Sequence, residues 1–346
     1  MKVLSVVVIG RNEGERLARC LESVEGMDRD GLRVEVIYVD SGSSDNSVVL
    51  AAAMGARVIS LQPERPTAGL GRNAGWHNAT GEFVLFLDGD TLLHSTFVKD
   101  SMREFDTPGV GVVWGHRREL HPERSLYNRV LDLDWIYAPG PSEFCGGDAI
   151  FRRDLLVRTG GFDKLLIAGE EPELCRRILK LGSTILHVDR PMTQHDLAMT
   201  KFSQYWRRAA RAGHAYAEVS ARFAGTGDRF WSAEARRNQV RAGLLMGLAC
   251  AGLTIGAARR SMWPVAAAGA LFGLLALRTA WKARWKSRRV STLLLYGMHS
   301  HFQQIPILAG QLAYRWSRRH GRKPRLMEYR LAEATPPSEP GQAQVR

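Results

Sequence analysis

Apolar and polar positions in the first quarter of the chain switch repeatedly between two periods. Val3 to Ile9 is a continuous, β-branched apolar run that reads as a buried strand, and Glu13 to Val24 then places Leu17, Cys20, Leu21 and Val24 on one helical face. Val34 to Asp40 is a second strand ending in an acid, Ser41 to Asn46 a polar turn rich in helix-capping residues, and Ser47 to Met54 a helix. Ala56 to Leu61 supplies a third strand and Gly69 to Ala79 a glycine-rich helix carrying Arg72 and Asn73; Phe83 to Leu87 is a fourth strand running into Asp88. This alternation predicts an α/β fold, a Rossmann-like, mostly parallel sheet with helices on both faces.

The fourth strand sits in TGEFVLFLDGDT, Thr80 to Thr91, and delivers Asp88 and Asp90 to its C-terminal edge, where open α/β sheets bind ligands. Two carboxylates this close repel each other unless positive charge lies between them. A hard divalent cation with oxygen ligands, Mg2+ or Mn2+, supplies that charge. The same letters also suit an ordinary Asp-Gly turn after a strand, Asp40 alone suits a helix cap, and Arg72 alone suits a surface ion pair.

Composition changes the picture at the other end of the chain. Of 346 residues, 45% are hydrophobic, enough for a sizeable core with something attached, and the net charge is +13. That charge fits nucleic acid, an anionic membrane surface or a phosphorylated substrate, and its placement selects the membrane. Ala242 to Ala258 and Ser261 to Leu277 are uncharged apolar runs of about 17 residues, parted only by Arg259 and Arg260, which is the lower bound for spanning hydrocarbon. Gly243/Gly247, Gly252/Gly256 and Gly269/Gly273 have small-residue spacing that lets two such helices approach. Arg236, Arg237 and Arg241 lie before the pair, with Arg278, Lys282, Arg284, Lys286, Arg288 and Arg289 after it, so the positive-inside rule leaves both flanks in the cytosol. A pair of buried helices is the alternative. Leu293 to Tyr314 is apolar but broken by polar residues and Pro306, which suits an interfacial or re-entrant helix. Arg315 to Arg325 suits anionic headgroups, and Ala334 to Arg346 has the composition of a disordered tail. No nucleic-acid motif or cleavable signal is evident. Cys20, Cys145, Cys175 and Cys250 have no CxxC spacing and read as unpaired thiols in a reducing cytosol.

Four segments in this order, VVVIGRNE, YVDSGSSDNS, GRNAGWHNATGEFVLFLDGD and GEEPELCRR, resemble family 2 glycosyltransferases of the GT-A fold across roughly Lys2 to Gly213. The resemblance implies that Ile9, Arg11, Glu13 and Asp40 hold the nucleobase and that Arg72 approaches the nucleotide. It also implies that Asp90 is the main metal ligand, with Asp88 beside it facing ribose and diphosphate. The family usually has Glu-Asp where this chain has Glu170 and Glu171, the second acid being the general base. Glu171 is one methylene longer, and Glu170 is its possible substitute. FCGGDAIFRR, Phe144 to Arg153, resembles the acceptor-side segment, which marks Gly146, Gly147 and Asp148. Some relatives place a further metal ligand where His195 stands; a structural histidine is the alternative. Phe202 to Tyr216 resembles the Gln-x-x-Arg-Trp segment of processive relatives, which marks Gln204, Trp206, Arg207 and Arg208 for an acceptor channel. Here Trp206 precedes Arg207, a departure from the processive pattern.

These readings converge on a division of the chain: a catalytic domain over 1–220, a linker or amphipathic segment over 221–240, a transmembrane hairpin over 241–278, basic interfacial helices over 279–333 and a tail over 334–346. The expected activity is metal-dependent, inverting transfer of a sugar from a UDP- or GDP-sugar to a hydroxyl of a membrane-linked saccharide or lipid, at the cytosolic face of an inner membrane. The expected partners are the nucleotide-sugar donor, a lipid-linked or saccharide acceptor and membrane lipids. A polyprenyl-phosphate acceptor is the second enzymatic reading, and an inactive scaffold of a polysaccharide assembly is the reading from another class.

Overall fold

The computed structural model describes residues 2–321, so the expected tail over 334–346 and the end of the basic stretch lie outside the described residues. Strands β1 (Val3–Gly10), β2 (Arg33–Asp40), β3 (Arg57–Ser60), β4 (Phe83–Asp88), β5 (Thr91–Leu93), β6 (Val110–Glu119), β7 (Gly140–Ser142), β8 (Ala149–Arg152) and β9 (Thr184–His195) form one sheet. Its order is β3-β2-β1-β4-β8-β6-β9-β5, with β7 paired to β9. Around it run α1 (Glu15–Glu25), α2 (Ser47–Ala53), α3 (Ala68–His77), α4 (Phe97–Met102), α5 (Leu126–Asp134), α6 (Arg153–Thr159) and α7 (Glu170–Lys180). The chain continues through α8 (Phe202–Phe223), α9 (Ser232–Ala258), α10 (Trp263–Lys282), α11 (Val290–Phe302) and α12 (Gln304–Arg319).

β3, β2, β1 and β4 are all parallel, as the β-α alternation predicts. Every residue from Phe83 to Leu87 is buried, and since successive side chains point to opposite faces, both faces of β4 are covered. The second half makes the sheet mixed. β8, which follows both β4 and β6 in sequence, is inserted between them and runs antiparallel to each, whereas β6 and β9 run parallel. A β-bulge interrupts the β6–β9 register near His116 and Pro191, which suits a proline that has no N–H to give the ladder.

The two long apolar helices, α9 and α10, are not core helices. Only 17% and 11% of their most apolar windows is buried, and both are long and apolar enough to cross a membrane. Of the three small-residue spacings, Gly252 and Gly256 make the hairpin contact: a Cβ on Gly252 would lie 3.1 Å from Ala268 Cβ, and one on Gly256 2.9 Å from the Ser261 carbonyl. Gly243, Gly247, Gly269 and Gly273 face open space instead, because α10 makes its other close approach to α11, where a Cβ on Gly297 would collide with the Ala276 carbonyl. The segment 221–240 contains the end of α8, a turn and the first turns of α9.

The interrupted run from Leu293 divides into α11 and α12 at Gln303, with Pro306 in the first turn of α12, where a missing N–H is harmless. Its polar residues tie it to the preceding part of the chain. His299 Nε2 lies 3.0 Å from Asp134 Oδ2, and its Nδ1 lies 2.9 Å from the Tyr205 hydroxyl. α12 lies on α8 with backbones in near contact: a Cβ on Gly213 would collide with the Ile307 carbonyl, and one on Gly310 with the Ala210 carbonyl.

Candidate active site

The acids meet because β1 has parallel neighbours on both sides. Gly10 pairs with Asp40 on β2, and Ile9 pairs with Asp88 on β4, so both strands release their acids at one edge. His195 arrives from the opposite direction. It ends β9 and is paired with Thr91 of the antiparallel β5, the residue after Asp90, and the Asp196 N–H donates to the Asp90 carbonyl at 3.1 Å. Asp88, Asp90 and His195 each offer a ligand atom within 4.8 Å of the others, and His195 Nε2 lies 3.3 Å from Asp90 Oδ2. Burial first, then the Arg117 charge, hold the His195 imidazole well below its usual pKa. It is therefore neutral at pH 7, the form that ligates metals. Two carboxylates and a neutral imidazole suit Mn2+ and its neighbours, so these residues fit a divalent cation.

Arg72 organises the other side of the site. α3 starts at Thr67, whose side chain accepts the Leu70 N–H at 3.2 Å, and a Cβ on Gly75 would collide with Val7 of β1. The glycine therefore lets the helix lie directly on the sheet. Asn73 anchors it at the far end by exchanging hydrogen bonds with Phe162, donating to the carbonyl at 2.7 Å and accepting the N–H at 2.9 Å. Thus fixed, Arg72 is 2% exposed. Its guanidinium pairs with Asp88 Oδ1 at 2.9 Å, Glu170 Oε1 at 2.9 Å and Glu171 Oε1 at 3.0 Å. Burial alone would favour the neutral guanidine, but Glu171, Asp88 and Glu170 outweigh it and raise the pKa, so Arg72 stays charged.

A second buried cation completes the cluster. Arg117 of β6 lies 3.2 Å from Asp88 Oδ2 and 3.0 Å from Asp148 Oδ2. Asp148 also accepts the Asp88 N–H at 3.1 Å and the Thr193 hydroxyl at 2.8 Å. Burial pulls the Asp88 carboxyl upward, yet Arg72 and Arg117 prevail and hold it well below the usual range. Five carboxylates, Asp88, Asp90, Asp148, Glu170 and Glu171, face two guanidiniums, a formal excess of three negative charges at the edge where the ligand trio lies.

Glu170 and Glu171 open α7 after Gly169, which has φ +85°, a left-handed conformation that suits glycine. The helix N-terminus stabilises both carboxylates, but their surroundings differ. The Glu170 side chain is 4% exposed against Arg72, whereas that of Glu171 is 18% exposed. Burial, then repulsion from Glu170, raise the Glu171 carboxyl to about 7 against the pull of Arg72. Glu173, the third acid of this turn, is paired with Arg177 at 2.6 Å. Gly147 passes between these groups: a Cβ there would lie 2.6 Å from Arg72 Nη2, 3.0 Å from Asp88 Oδ2 and 3.3 Å from Glu171 Oε1. Beside it a cavity of about 190 Å³ is walled by Trp114, Trp135, Tyr137, Phe144, Arg117 and Asp148.

The glycosyl transferase family 2 profile matches residues 5–157, from β1 through β8 and into α6. The chain carries a glycosyl transferase family 2 domain. Glucosyl-3-phosphoglycerate synthase of Mycolicibacterium paratuberculosis is 34% identical over 52% of this chain and 51% of its own length. Glycosyltransferase AglE of Haloferax volcanii is 23% identical over 53% of this chain and 63% of its own. The chain thus spans less than two thirds of the length of these curated relatives. The mannosyltransferase PcManGT of Pyrobaculum calidifontis, solved with GDP-Man and Mn2+, superposes on 91% of this chain and 87% of its own, with a TM-score of 0.59 and 20% identity. That likeness shows a shared fold.

The structure brings together Arg72, Asp88, Asp90, Gly147 and Asp148 of the matched residues with Glu170, Glu171 and His195, which lie beyond them. Ile9, Arg11, Glu13 and Asp40 lie on the same strand edge, outside this cluster. Asp40 is buried and accepts the N–H groups of Gly42 and Ser43 at 3.0 and 2.8 Å, holding the turn after β2. Asn12 and Ser44 then bond that turn to the one after β1, and Arg11 reaches the Gly42 carbonyl at 3.4 Å. Gly146 lines the 190 Å³ cavity. From the α8 set, Arg208 stands 5.6 Å from the centre of the Trp135 ring, which also carries Arg117 at 5.2 Å and His195 edge-on at 5.2 Å. Gln204 is turned elsewhere: its Oε1 accepts the Thr200 and Lys201 N–H groups at 2.9 and 2.8 Å and caps α8. Trp206 meets the Phe202 ring at 5.9 Å, and Arg207 forms no ion pair with the acidic cluster among the described residues. Sequence reasoning missed Arg117, Thr193 and Trp135. The one available signal was alternation along β6, which puts Arg117 on the same side as Val113 and Gly115.

Proposed function

We propose that this protein transfers a sugar from a nucleotide-sugar donor, a UDP- or GDP-sugar, to a hydroxyl of a membrane-linked saccharide or lipid, with inversion at the anomeric carbon. The observation that carries this reading is the adjacency of an electron-rich ligand trio, Asp88, Asp90 and His195, to a partly accessible carboxyl raised to about 7, Glu171. When bound, a divalent cation at the trio supplies the positive charge that offsets the diphosphate leaving group. Asp88 is held ionised by Arg72 and Arg117, so it meets that cation as a carboxylate. Glu171 accepts the proton of the attacking hydroxyl, for which a pKa near the working pH is suited. Glu170 keeps Arg72 in place. The aromatic walls at Trp114, Trp135 and Tyr137 exclude water and offer faces to a sugar ring. One base with no carboxylate placed as nucleophile corresponds to a single displacement, which inverts configuration.

The relatives support a nucleotide-sugar donor, since PcManGT was solved with GDP-Man and Mn2+. The exposed apolar hairpin of α9 and α10 supports an acceptor held at a membrane, with the basic flanks on the side of the catalytic domain. Arg208 on the outer face of Trp135 favours a second reading, a polyprenyl-phosphate acceptor, because a phosphate nucleophile needs cations and no base. Incubating the detergent-purified protein with radiolabelled UDP- and GDP-sugars, Mn2+ and a membrane lipid extract tests the reading. Label transferred to the organic phase by the wild type, and lost with Glu171→Gln, supports a hydroxyl acceptor. Transfer unchanged in Glu171→Gln selects the phosphate acceptor, and no transfer or donor hydrolysis with any sugar overturns both.

A further inference from the structure

A second cavity lies away from the acidic cluster. It measures about 450 Å³, within the range of small-ligand sites, and opens between α8, α9 and α12. Ser220 of α8 and Ala235 of α9 form one wall; Tyr314, Arg315, Arg318 and Arg319 of α12 form the other. The near-contact of α8 and α12 at Gly213 and Gly310 fixes the base of the cleft, and the Tyr314 ring is held edge-on to buried His214 at 5.1 Å.

The three arginines stand at i, i+3 and i+4, so their like charges share one helix face and repel one another. No acidic side chain among the described residues pairs with them, whereas Arg117, Arg176 and Arg222 each have a carboxylate partner. An anion in the cleft removes that repulsion, and guanidinium forks match phosphate oxygens. Tyr314 and Ser220, whose hydroxyl donates to the Ala217 carbonyl at 3.2 Å, line the same space. The position along α9 gives the source of the anion. Ala235 precedes the apolar run at Ala242 by seven residues, about 10 Å of helix at 1.5 Å per residue, which places the cleft at the headgroup layer of a bilayer entered by that run.

We propose that the cleft between α8, α9 and α12 binds the phosphate of an anionic membrane-lipid headgroup, and so sets the depth and tilt of the catalytic domain on the membrane. This rests on the membrane attachment proposed above. The test uses the full-length protein in non-ionic detergent, with melting temperature read against dihexanoyl-phosphatidylglycerol, dihexanoyl-phosphatidylcholine and inorganic phosphate. The expected result is stabilisation by the anionic lipid with an apparent affinity at least about tenfold above that for either other probe. The expected result also includes loss of that stabilisation in the Arg315→Gln, Arg318→Gln, Arg319→Gln triple variant. Ser220→Glu, which sets a carboxylate into the cleft from the opposite helix, must lose it as well while melting like the wild type without ligand. Equal stabilisation by phosphatidylcholine, or a shift retained in both variants, overturns the site; an equal shift with inorganic phosphate overturns the lipid as its source. Flotation with neutral phosphatidylcholine vesicles separates the two ideas. Wild type and triple variant both float if the hairpin inserts, and failure of both to float overturns the membrane attachment, whatever the melting data say.

Discussion

Replacing Arg72 with methionine keeps most of the side-chain volume and removes the charge that three carboxylates share. Asp88, Glu170 and Glu171 then face one another with side chains 28%, 4% and 18% exposed. Breaking a buried ion pair by removing one partner costs about 3 to 5 kcal/mol, and for a domain of this size each kcal/mol lowers the melting temperature by about 2 to 4 °C. The expected loss at pH 8 is therefore about 6 to 20 °C. Its pH dependence follows from linkage. Burial and repulsion from Glu170 already raise the Glu171 carboxyl against the pull of Arg72, so losing Arg72 raises it further above its unfolded value and the folded state binds more protons than the unfolded state. Stability of the variant then falls as pH rises from the unfolded toward the raised folded pKa of Glu171, and the deficit against wild type shrinks toward pH 5. Melting followed by tryptophan fluorescence at pH 5 and pH 8, with chelator present, reads both effects. A variant melting within about 2 °C of wild type at pH 8, or a deficit that widens as pH falls, refutes the role given to Arg72.

Other outcomes follow from single contacts. Wild-type turnover should rise as pH passes through about 7, because Glu171 must lose its proton to act as base; Glu171→Gln should lower kcat by about 10² to 10⁴-fold and abolish that rise, as read by pH-rate profiles. Gly147→Ala inserts a methyl group 2.6 Å from Arg72 Nη2, and should cost about 1 to 3 kcal/mol of stability and at least about tenfold in kcat/KM. Gly213→Ala drives a methyl group into the Ile307 carbonyl, so it should separate α8 from α12 and lower the melting temperature, with donor-nucleotide affinity unchanged.

How far the sequence exposes the site depends on how locally each part is determined. The strands ending in Asp40 and Asp88 are visible because buried parallel strands are continuous apolar runs, and the turn residues behind them punctuate them. Arg72 is visible through its setting: the glycines around it allow close helix-to-sheet packing, and that need leaves a mark in the letters GRNAG. Arg117 leaves none. It lies in HRRE at the end of β6, which reads as a solvated strand end, and only the insertion of β8 beside β6 turns it toward Asp88 and Asp148. Trp135 similarly follows α5 in a stretch without periodicity, and tertiary packing brings it over Arg117 and Arg208. Gln204 shows the opposite case, since its letters match a channel motif while its position, three residues into a helix, is one where glutamine caps. His195 follows from neither period nor motif spacing alone. The antiparallel pairing of β5 with β9, a contact across about a hundred residues, sets it beside Asp90.

The most direct test of the central claim is thermal stabilisation of the detergent-purified protein by UDP, GDP and their sugar conjugates, with and without Mn2+, in wild type and Asp90→Ala. The account predicts that one nucleotide class stabilises the wild type only with metal, by about 2.7 kcal/mol at a hundredfold excess over its Kd, and that Asp90→Ala abolishes the shift. A wild type indifferent to every nucleotide, or an Asp90→Ala variant stabilised as strongly as wild type, would contradict it.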